Sequence, residues 1–263
     1  MTLTVRREIP AGGLLGRVPF GAVLAAGAVA LIGSVVVAVG LGPVWIPPGT
    51  VLASVGAHLG GAGPAVRPAT DFIVWELRVP RVLLGVVVGA GLSVAGLLVQ
   101  AMVRNPIGDP YVLGLSSGAS VGAVLVITTV GTAAGLLVLP AAAFAGATVT
   151  GLLVFAVARV RGRLQAARMV LAGVAVGQLL AGVTSFLLLS TRDPDATRQV
   201  LFWMLGSLAG ARWDLLATAA AVVALLVVAT VLGASRVNLL VLGRTRRPRS
   251  VPTRPGSGPR CSC

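Results

Sequence analysis

Long apolar segments separated by short polar connections dominate this chain. The clearest one follows Arg81 and ends before Arg104, and its residues 82–103 contain no ionisable side chain. A helix over this segment would measure about 33 Å at 1.5 Å per residue, and a bilayer core is roughly 30 Å thick. The pattern recurs and predicts six membrane spans, at about Val18–Leu41, Pro80–Val103, Tyr111–Val130, Gly135–Ala158, Met169–Thr191 and Trp213–Ala234.

A polar turn joins the second predicted span to the third. It contains Arg104, Asn105, Pro106, Asp109 and Pro110. Prolines remove backbone donors and restrict the residue before them, so one helix cannot run through this turn. Asn-Pro and Asp-Pro pairs form turns readily. We therefore expect a structural corner rather than a catalytic site, with Asp109 capping the third span.

Three further segments are not predicted to cross the membrane. Pro43–Leu77 is expected to be an external connection that contains a short apolar stretch. Ala196–Leu208 is too short to cross and is expected to lie at the external surface, where Asp193 or Asp195 can cap it. Residues 244–263 are rich in Arg, Pro and Ser and are predicted to form a disordered basic tail.

Composition indicates a polytopic membrane protein. The chain is 56% hydrophobic and only 11% charged, whereas soluble domains carry about 25% charged residues. The net charge of +14 would suggest nucleic-acid binding in a soluble protein. Here the arginines flank apolar spans, so membrane topology explains them and no nucleic-acid partner is expected. The predicted fold class is all-α, a membrane helix bundle with about six transmembrane helices.

The positions of the arginines predict the orientation. With residues 1–17 in the cytoplasm, nine arginines before the tail are cytoplasmic and six are external, which follows the positive-inside rule. The firmest anchor is the cluster Arg159, Arg161 and Arg163 between the fourth and fifth spans. The spans are expected to be surrounded by membrane lipid.

Little in the sequence suggests catalysis or metal binding. His58 is the single histidine, and Cys261 and Cys263 are the two cysteines, whereas a structural zinc site normally needs four ligands. The chain contains no lysine, so it lacks a phosphate loop of the GxxxxGK[ST] type. We expect no catalytic residues, no metal and no cofactor.

Small residues are abundant inside the predicted spans. Glycines four residues apart let helix backbones approach closely in lipid. We interpret these pairs as packing sites within one bundle rather than as a dedicated dimer motif. They are Gly85/Gly89, Gly118/Gly122 and Gly173/Gly177.

Five motifs in fixed order resemble one protein family. They read WELRVPR, AGLSVAGLLVQAMVRNPIGDPYVLGLSSGASVGAVL, VLAGVAVGQLLAGVTSFLLL, RQVLFWMLGSLAG and SRVNLLVLG. The chain resembles the FecCD-type permeases, the membrane subunits of bacterial ABC importers for iron–siderophore complexes, haem and cobalamin. The resemblance covers residues 18–243. It implies ten helices per subunit, a homodimeric or heterodimeric permease, two cytoplasmic ATPase subunits and an external substrate-binding protein. It also implies a location in a bacterial inner membrane.

The resemblance also implies roles for particular residues. Arg78 and Arg81 of the R-x-P-R motif are expected to dock acidic residues of the binding protein, since arginine engages carboxylates bidentately. The alternative is that they anchor the helix end by snorkelling. Ala166 and Ala167 fall in the cytoplasmic gate region, where a loop-to-helix junction is an equal interpretation. The candidate pathway-lining residues are Ser116, Ser117, Gln178, Thr184 and Ser185, for which hydrogen bonding between neighbouring helices is the alternative.

The family pattern breaks near Gly243. The start of the ATPase-coupling segment matches at Asn238, Leu239, Leu240, Leu242 and Gly243. The family continues with an acidic, alanine-rich helix and four more spans, whereas this chain continues with a proline-rich basic stretch that cannot form such a helix. We interpret the break as a truncation or frameshift and expect that this chain cannot support transport alone.

Two other function classes compete with the permease interpretation. A secondary transporter or channel often carries intramembrane acidic residues for ion coupling, and none of the predicted spans contains one away from an end. A non-functional membrane fragment is the remaining alternative. Among permease substrates, a ferric-siderophore-type metal chelate is the class we expect.

Overall fold

The computed structural model describes residues 19–61, 66–131, 135–160 and 163–233. As predicted, these ranges are built almost wholly of helices. The helices are α1 Phe20–Gly40, α2 Pro48–His58, α3 Pro68–Val103, α4 Leu115–Thr129, α5 Gly135–Ala158, α6 Ala166–Ser190, α7 Pro194–Leu205 and α8 Trp213–Leu232. A 3-10 turn, Pro110–Leu113, precedes α4, and strands β1 Arg159–Val160 and β2 Arg163–Leu164 pair antiparallel between α5 and α6.

Within the described ranges, five helices are long and apolar enough to cross a membrane, namely α1, α3, α5, α6 and α8. The predicted third span, Tyr111–Val130, is wrong as a single spanning helix. Its helical part, α4, has 15 residues, or about 23 Å at 1.5 Å per residue, which is short of a roughly 30 Å core. The segment divides because Pro110 begins the 3-10 turn and Gly114 ends it in the left-handed region, with φ 70°.

Helix α3 begins earlier than the sequence predicted. It starts at Pro68 rather than Pro80 and has 36 residues. The predicted start of the second span is therefore wrong, and the last part of the expected external connection Pro43–Leu77 belongs to this helix. Pro68 fits because a proline in the first turn removes a donor that has no helical partner. Residues Ile73–Arg78 form a π-helical turn inside α3.

The short helix expected near residue 200 is present as α7. It has 12 residues. Of the two predicted caps, Asp193 and Asp195, the structure shows Asp193 as the cap. The Asp193 Oδ1 atom accepts a hydrogen bond from the backbone N–H of Asp195 at 2.9 Å, which satisfies one of the free donors at the helix start. Phe202 is exposed, whereas Trp203 is half-buried against a small apolar core.

The chain divides into two compact units. Counting the described residues alone, the first contains those up to Ala90 together with Ser207–Val223, and the second contains those of Gly91–Gly206 together with those from Ala224 onward. In the first unit, one apolar core joins the end of α1 to α2 and the start of α3 through Val39, Ile46, Val51, Val74 and Val79. A second small core joins α3 to the start of α8 through Leu84, Ala211 and Leu216.

In the second unit, glycines set the closest helix contacts. A Cβ atom added to Gly118 of α4 would lie 2.6 Å from the carbonyl oxygen of Gly146 in α5, and one added to Gly122 would overlap the carbonyl of Ala142. The left-handed Gly114 lies equally close to the backbone of Gly173 in α6. The interpretation of these pairs as packing sites inside the bundle is therefore confirmed for α4 and α6.

Candidate functional site

Arg78 binds the C-terminal end of α1. Its Nη1 donates to the carbonyl oxygens of Val39 at 2.9 Å and Gly40 at 3.0 Å, and its Nη2 donates to that of Val44 at 2.7 Å. The last carbonyls of a helix lack internal partners and carry partial negative charge, so a guanidinium suits this position. Gly42 leaves room for the side chain, because a Cβ there would lie 2.7 Å from Nη2.

Pro80 creates a second junction in the same motif. In a π turn, each N–H donates to the carbonyl five residues earlier. Val79 donates to the carbonyl of Val74 in this way, so the next donor, to the carbonyl of Trp75, would be the N–H of residue 80. Proline has no N–H. The indole Nε1–H of Trp213, at the start of α8, donates to the carbonyl oxygen of Trp75 instead, at 3.2 Å.

Arg81 lies one helical turn beyond Arg78 and differs from it in exposure. Its Nη2 donates to the carbonyl oxygen of Ala209 at 3.0 Å. The side chain is exposed, and within residues 19–233, apart from the three undescribed gaps, no acidic group forms an ion pair with it. The R-x-P-R motif thus holds α1, α8 and the loop before α8 together, and it leaves one guanidinium largely open to solvent.

The predicted corner forms a compact turn. The helix α3 ends in a motif in which the N–H of Asn105 donates to the carbonyl of Gln100 at 3.2 Å, while Arg104 takes the left-handed conformation with φ 53°. The Asn105 Oδ1 accepts from the N–H of Ile107 at 3.0 Å, and the Asp109 Oδ1 accepts from that of Tyr111 at 2.8 Å. Asp109 therefore caps the 3-10 turn rather than a spanning helix.

Beyond Asn105, the corner directs the next segment onto α6. Gly108 donates to the carbonyl of Asn105 at 3.0 Å, and the 3-10 turn that begins at Pro110 places Leu113 in an apolar core with Met169 and Ala172. The backbone at Leu113 then passes Gly173 so closely that a Cβ there would lie 2.7 Å from the Leu113 Cα. These contacts position the start of α4 and its two serines.

The predicted pathway residues fall into two groups. Thr184 is buried and donates to the carbonyl of Leu180, which is part of its own helix. Gln178 and Ser185 are exposed on α6, and a separation of seven residues places them on the same face of a helix. The hydroxyl of Ser185 donates to the carbonyl of Ala181 at 3.0 Å.

The remaining predicted residues are described in part. Ser116 is exposed, whereas Ser117 is half-buried near Gly177. Ala166 and Ala167 begin α6, directly after the short strand pair. The start of the ATPase-coupling segment lies outside the described residues, as do residues 1–17 and 244–263; its predicted members are Asn238, Leu239, Leu240, Leu242 and Gly243.

Sequence reasoning missed the aromatic and polar groups around the R-x-P-R motif. Trp75 contacts Trp213, with ring centroids 4.7 Å apart, and it stacks on His58 at 4.2 Å. The signal available in the sequence was Pro80 inside an apolar helix, since a proline there releases a carbonyl that needs another donor. The identity of that donor, 138 residues away, carries no local signal.

A family model and two curated relatives match most of the chain. The model of the FecCD transport family matches residues 29–247. The cobalamin import system permease protein of Halobacterium salinarum is 38% identical over 68% of this chain and 47% of its own length. The achromobactin transport system permease protein of Dickeya dadantii is 41% identical over 54% of this chain and 40% of its own length. The chain thus spans about half the length of the curated relatives it matches.

A solved structure has a similar fold. It is described as an inward-facing conformation of a metal-chelate type ABC transporter, and it aligns with a TM-score of 0.69 at 24% identity. The alignment covers 85% of this chain and 65% of the other. At this identity the likeness shows the fold alone.

Proposed function

The chain belongs to the FecCD transport family, and we propose that it is a membrane-spanning permease subunit of an ABC importer that moves a metal chelate into the cytoplasm. The observation that carries this proposal is the family match over residues 29–247. It includes four of the five apolar helices long enough to cross a membrane in the described ranges, namely α3, α5, α6 and α8, together with residues 29–40 of α1. ATP hydrolysis would belong to a separate subunit, and this chain would supply no catalytic group.

The proposed orientation places the N-terminus in the cytoplasm and the R-x-P-R motif outside. The arginine distribution supports it, because the cluster around Arg159 precedes α6 and cytoplasmic connections carry an excess of arginine. In this orientation Arg78 and Arg81 lie at the external end of α3, and the corner at Arg104 lies at its cytoplasmic end.

We propose that Arg81 is the main docking contact for an external substrate-binding protein. Its guanidinium is exposed and uses one nitrogen on Ala209, so other donors are available to a carboxylate. Arg78 has three of its hydrogen bonds committed to the end of α1, so its contribution to docking is to hold the surface that presents Arg81. Both residues would thus serve docking: Arg81 would contact the binding protein, and Arg78 would hold the surface in place.

The polar face of α6 supports a pathway at a subunit interface. Gln178 and Ser185 share an exposed face of a membrane-spanning helix, and exposed polar groups in a membrane usually face a cavity or a partner rather than lipid. We propose that a second permease subunit covers this face. Ser116 and Ser117 would line the same pathway, and Ala166 and Ala167 would lie near its cytoplasmic gate.

The substrate class we propose is a ferric-siderophore-type chelate. The similar proteins are named for cobalamin and for achromobactin, so family membership alone does not select one compound. Competition between a labelled ferric siderophore, haem and cobalamin for the substrate-binding protein that binds this chain tests the choice without requiring uptake. Binding that unlabelled cobalamin or haem displaces, and unlabelled siderophore does not, would overturn it.

Partner binding tests the permease assignment. The full chain in nanodiscs is mixed with an ABC ATPase and a substrate-binding protein from the same genome, and each affinity is measured. We expect both to bind, and we expect Arg81→Gln to weaken the binding protein about tenfold, in line with the loss of a charge-assisted hydrogen bond. Arg198→Gln is the matched control, since Arg198 is also exposed and pairs with Asp195 of its own helix at 3.7 Å.

Three outcomes would contradict these assignments. Equal weakening by Arg81→Gln and Arg198→Gln would remove the docking role of Arg81. Failure of the ATPase to bind would favour a membrane fragment without a partner. Uptake that a protonophore abolishes and an inactive ATPase leaves unchanged would favour a secondary transporter. The expectation that this chain alone does not support uptake stays a prediction, which the same uptake assay decides.

A further inference from the structure

His58 connects α2 to α3. It is the single histidine of the chain and lies at the C-terminal end of α2. Its Nδ1 is 3.0 Å from the carbonyl oxygen of Ser54, and its Nε2 is 3.6 Å from the Asp71 Oδ2. The ring stacks on the indole of Trp75 with centroids 4.2 Å apart and an angle of 10° between the planes.

Two pairs of residues, each one helical turn apart, face each other in this cluster. Ser54 and His58 lie on α2, and Asp71 and Trp75 lie on α3. The hydroxyl of Ser54 is fully buried and donates to the Asp71 Oδ1 at 2.6 Å. One carboxylate oxygen is therefore held by the serine, and the other is turned toward the imidazole.

The hydrogen bonds assign the protons. A carbonyl oxygen only accepts, so Nδ1 must carry a hydrogen to bond Ser54. A neutral imidazole has one N–H, and its Nε2 would then direct a lone pair at the Asp71 carboxylate, which also only accepts. The imidazolium has a donor on both nitrogens, and its charge is favourable both beside a carboxylate and over an indole face. Each contact of the ring is thus satisfied only when the ring is charged.

Asp71 is the charged group that faces His58. Neither α1 nor α2 carries another ionisable side chain, and neither do residues 62–65, which lie outside the described ranges. Within the described ranges, six further charged side chains on the surrounding elements make no hydrogen bond or ion pair with the imidazole; they are Arg67, Glu76, Arg78, Arg81, Arg212 and Asp214.

We infer that His58 is a proton-sensitive clasp between α2 and α3. Protonation adds an ion pair with Asp71 and a cation–π contact with Trp75, so it fastens α2. Loss of the proton leaves two acceptors facing each other, so the clasp loosens as pH rises. Histidine is the side chain that ordinarily changes charge between about pH 5 and 8, and under the orientation proposed above this pair responds to external pH.

The clasp bears on a neighbouring cavity of about 460 Å³. Thr50 and Ala53 of α2 form one side of this cavity, and Arg67 and Thr70 line it from the start of α3. Ser54 and His58 lie on the same short helix as Thr50 and Ala53. When the contact between His58 and Asp71 weakens, α2 can therefore move, and with it the side of the cavity that α2 forms.

Hydrogen–deuterium exchange tests the clasp in the full chain in nanodiscs. After correction for the intrinsic effect of pH, we expect the amides of α2 to exchange roughly two- to fivefold more slowly at pH 5.5 than at pH 7.5, within the range that one partly exposed ion pair gives. His58→Phe keeps a ring on Trp75 but cannot be protonated, and Asp71→Asn keeps the shape of the carboxylate without its charge. Both are expected to abolish the pH effect.

Asp214→Asn is the matched control, since it removes a carboxylate that pairs with Arg212 at 3.4 Å rather than with His58. This variant should keep the full pH effect on α2. The proposal is overturned if His58→Phe retains the effect, if Asp214→Asn removes it as completely as Asp71→Asn, or if the unmodified chain shows none.

A second measurement does not depend on any variant. A chain with a single histidine, purified without a histidine tag, gives one set of imidazole signals after ¹⁵N-histidine labelling. Nδ1 should carry the proton in the neutral ring, which is the minority tautomer in water, and the charged ring should carry a proton on each nitrogen. A neutral ring with its proton on Nε2 would overturn the assignment, since that ring could not bond the Ser54 carbonyl.

Discussion

The side chain of Trp213 donates to the backbone carbonyl oxygen of Trp75 at 3.2 Å, and the two indoles also contact each other. The bond exists because Pro80 supplies no N–H at the position from which the π turn would bond that carbonyl. A proline in α3 is thereby linked to the start of α8 within the first compact unit. Substitution of Pro80 or Trp213 should therefore change the stability of the contact between α3 and the start of α8.

Trp213→Phe should lower the free energy of unfolding by about 1 kcal/mol, the net contribution of a typical hydrogen bond, because the bond to the Trp75 carbonyl is partly buried. Phenylalanine keeps most of the aromatic contact with Trp75, so the hydrogen bond is the main loss. The measurement is denaturant titration in mixed micelles, followed by circular dichroism because tryptophan emission changes with the variant.

Pro80→Ala, alone and combined with Trp213→Phe, completes a double-mutant cycle for that experiment. An alanine restores a backbone N–H near the carbonyl of Trp75, so Trp213→Phe should cost clearly less in the Pro80→Ala background. Equal costs in the two backgrounds would show that the indole and the missing amide do not serve the same carbonyl.

Arg78→Gln should destabilise the first unit, and Arg81→Gln should not. Arg78 makes three hydrogen bonds to carbonyls at and after the end of α1, and a hydrogen bond to a charged group contributes about 1.5–3 kcal/mol. Because Arg78 is partly exposed, we expect a loss near the lower end of that range. Exposed Arg81 should change the free energy of unfolding by less than about 0.5 kcal/mol. The reverse order would refute the different roles assigned to these two arginines.

Gly146→Ala should destabilise the second unit by about 1–3 kcal/mol, the usual cost of overpacking. Its new methyl group would overlap the carbonyl of Gly118, an atom of the helix backbone that cannot move without shifting α4. Gly182→Ala is the control, because a Cβ there meets nothing within 4 Å and alanine favours a helix by roughly 1 kcal/mol over glycine. Both variants are measured by denaturant titration in mixed micelles. If Gly146→Ala were as stable as Gly182→Ala, the close crossing of α4 and α5 would be wrong.

Apolar periodicity could predict most of the helices because a spanning helix needs about 20 apolar residues whatever its neighbours are. The ends of α5 match the predicted ends, and those of α6 differ by three residues or fewer. The prediction from apolar periodicity is wrong at Tyr111–Val130, because hydropathy does not show that Gly114 takes the left-handed conformation. It also placed the start of the second span at Pro80, whereas α3 begins at Pro68.

The candidate site was less predictable than the helices. The motif around Arg78 identified the residue but not its bonds, since its acceptors lie 34 to 39 residues earlier in the chain. The contacts of His58 were missed for the same reason. Its partners, Asp71 and Trp75, lie on another helix. Long-range polar contacts of this kind depend on packing, which one sequence does not reveal.

Arg104→Gly should be more stable than Arg104→Ala by about 1 kcal/mol. Both changes remove the same side chain, but φ 53° at this position costs an L-residue roughly 1–2 kcal/mol, and part of that gain is offset by the extra freedom of glycine in the unfolded chain. The left-handed conformation is fixed by the bond from the N–H of Asn105 to the carbonyl of Gln100, which glycine supports at the end of many helices. The two variants are compared by denaturant titration in mixed micelles. If Arg104→Ala were equal to or more stable than Arg104→Gly, the chain would not turn at this corner through a left-handed residue, and the placement of Asn105 and Asp109 as turn caps would have to be revised with it.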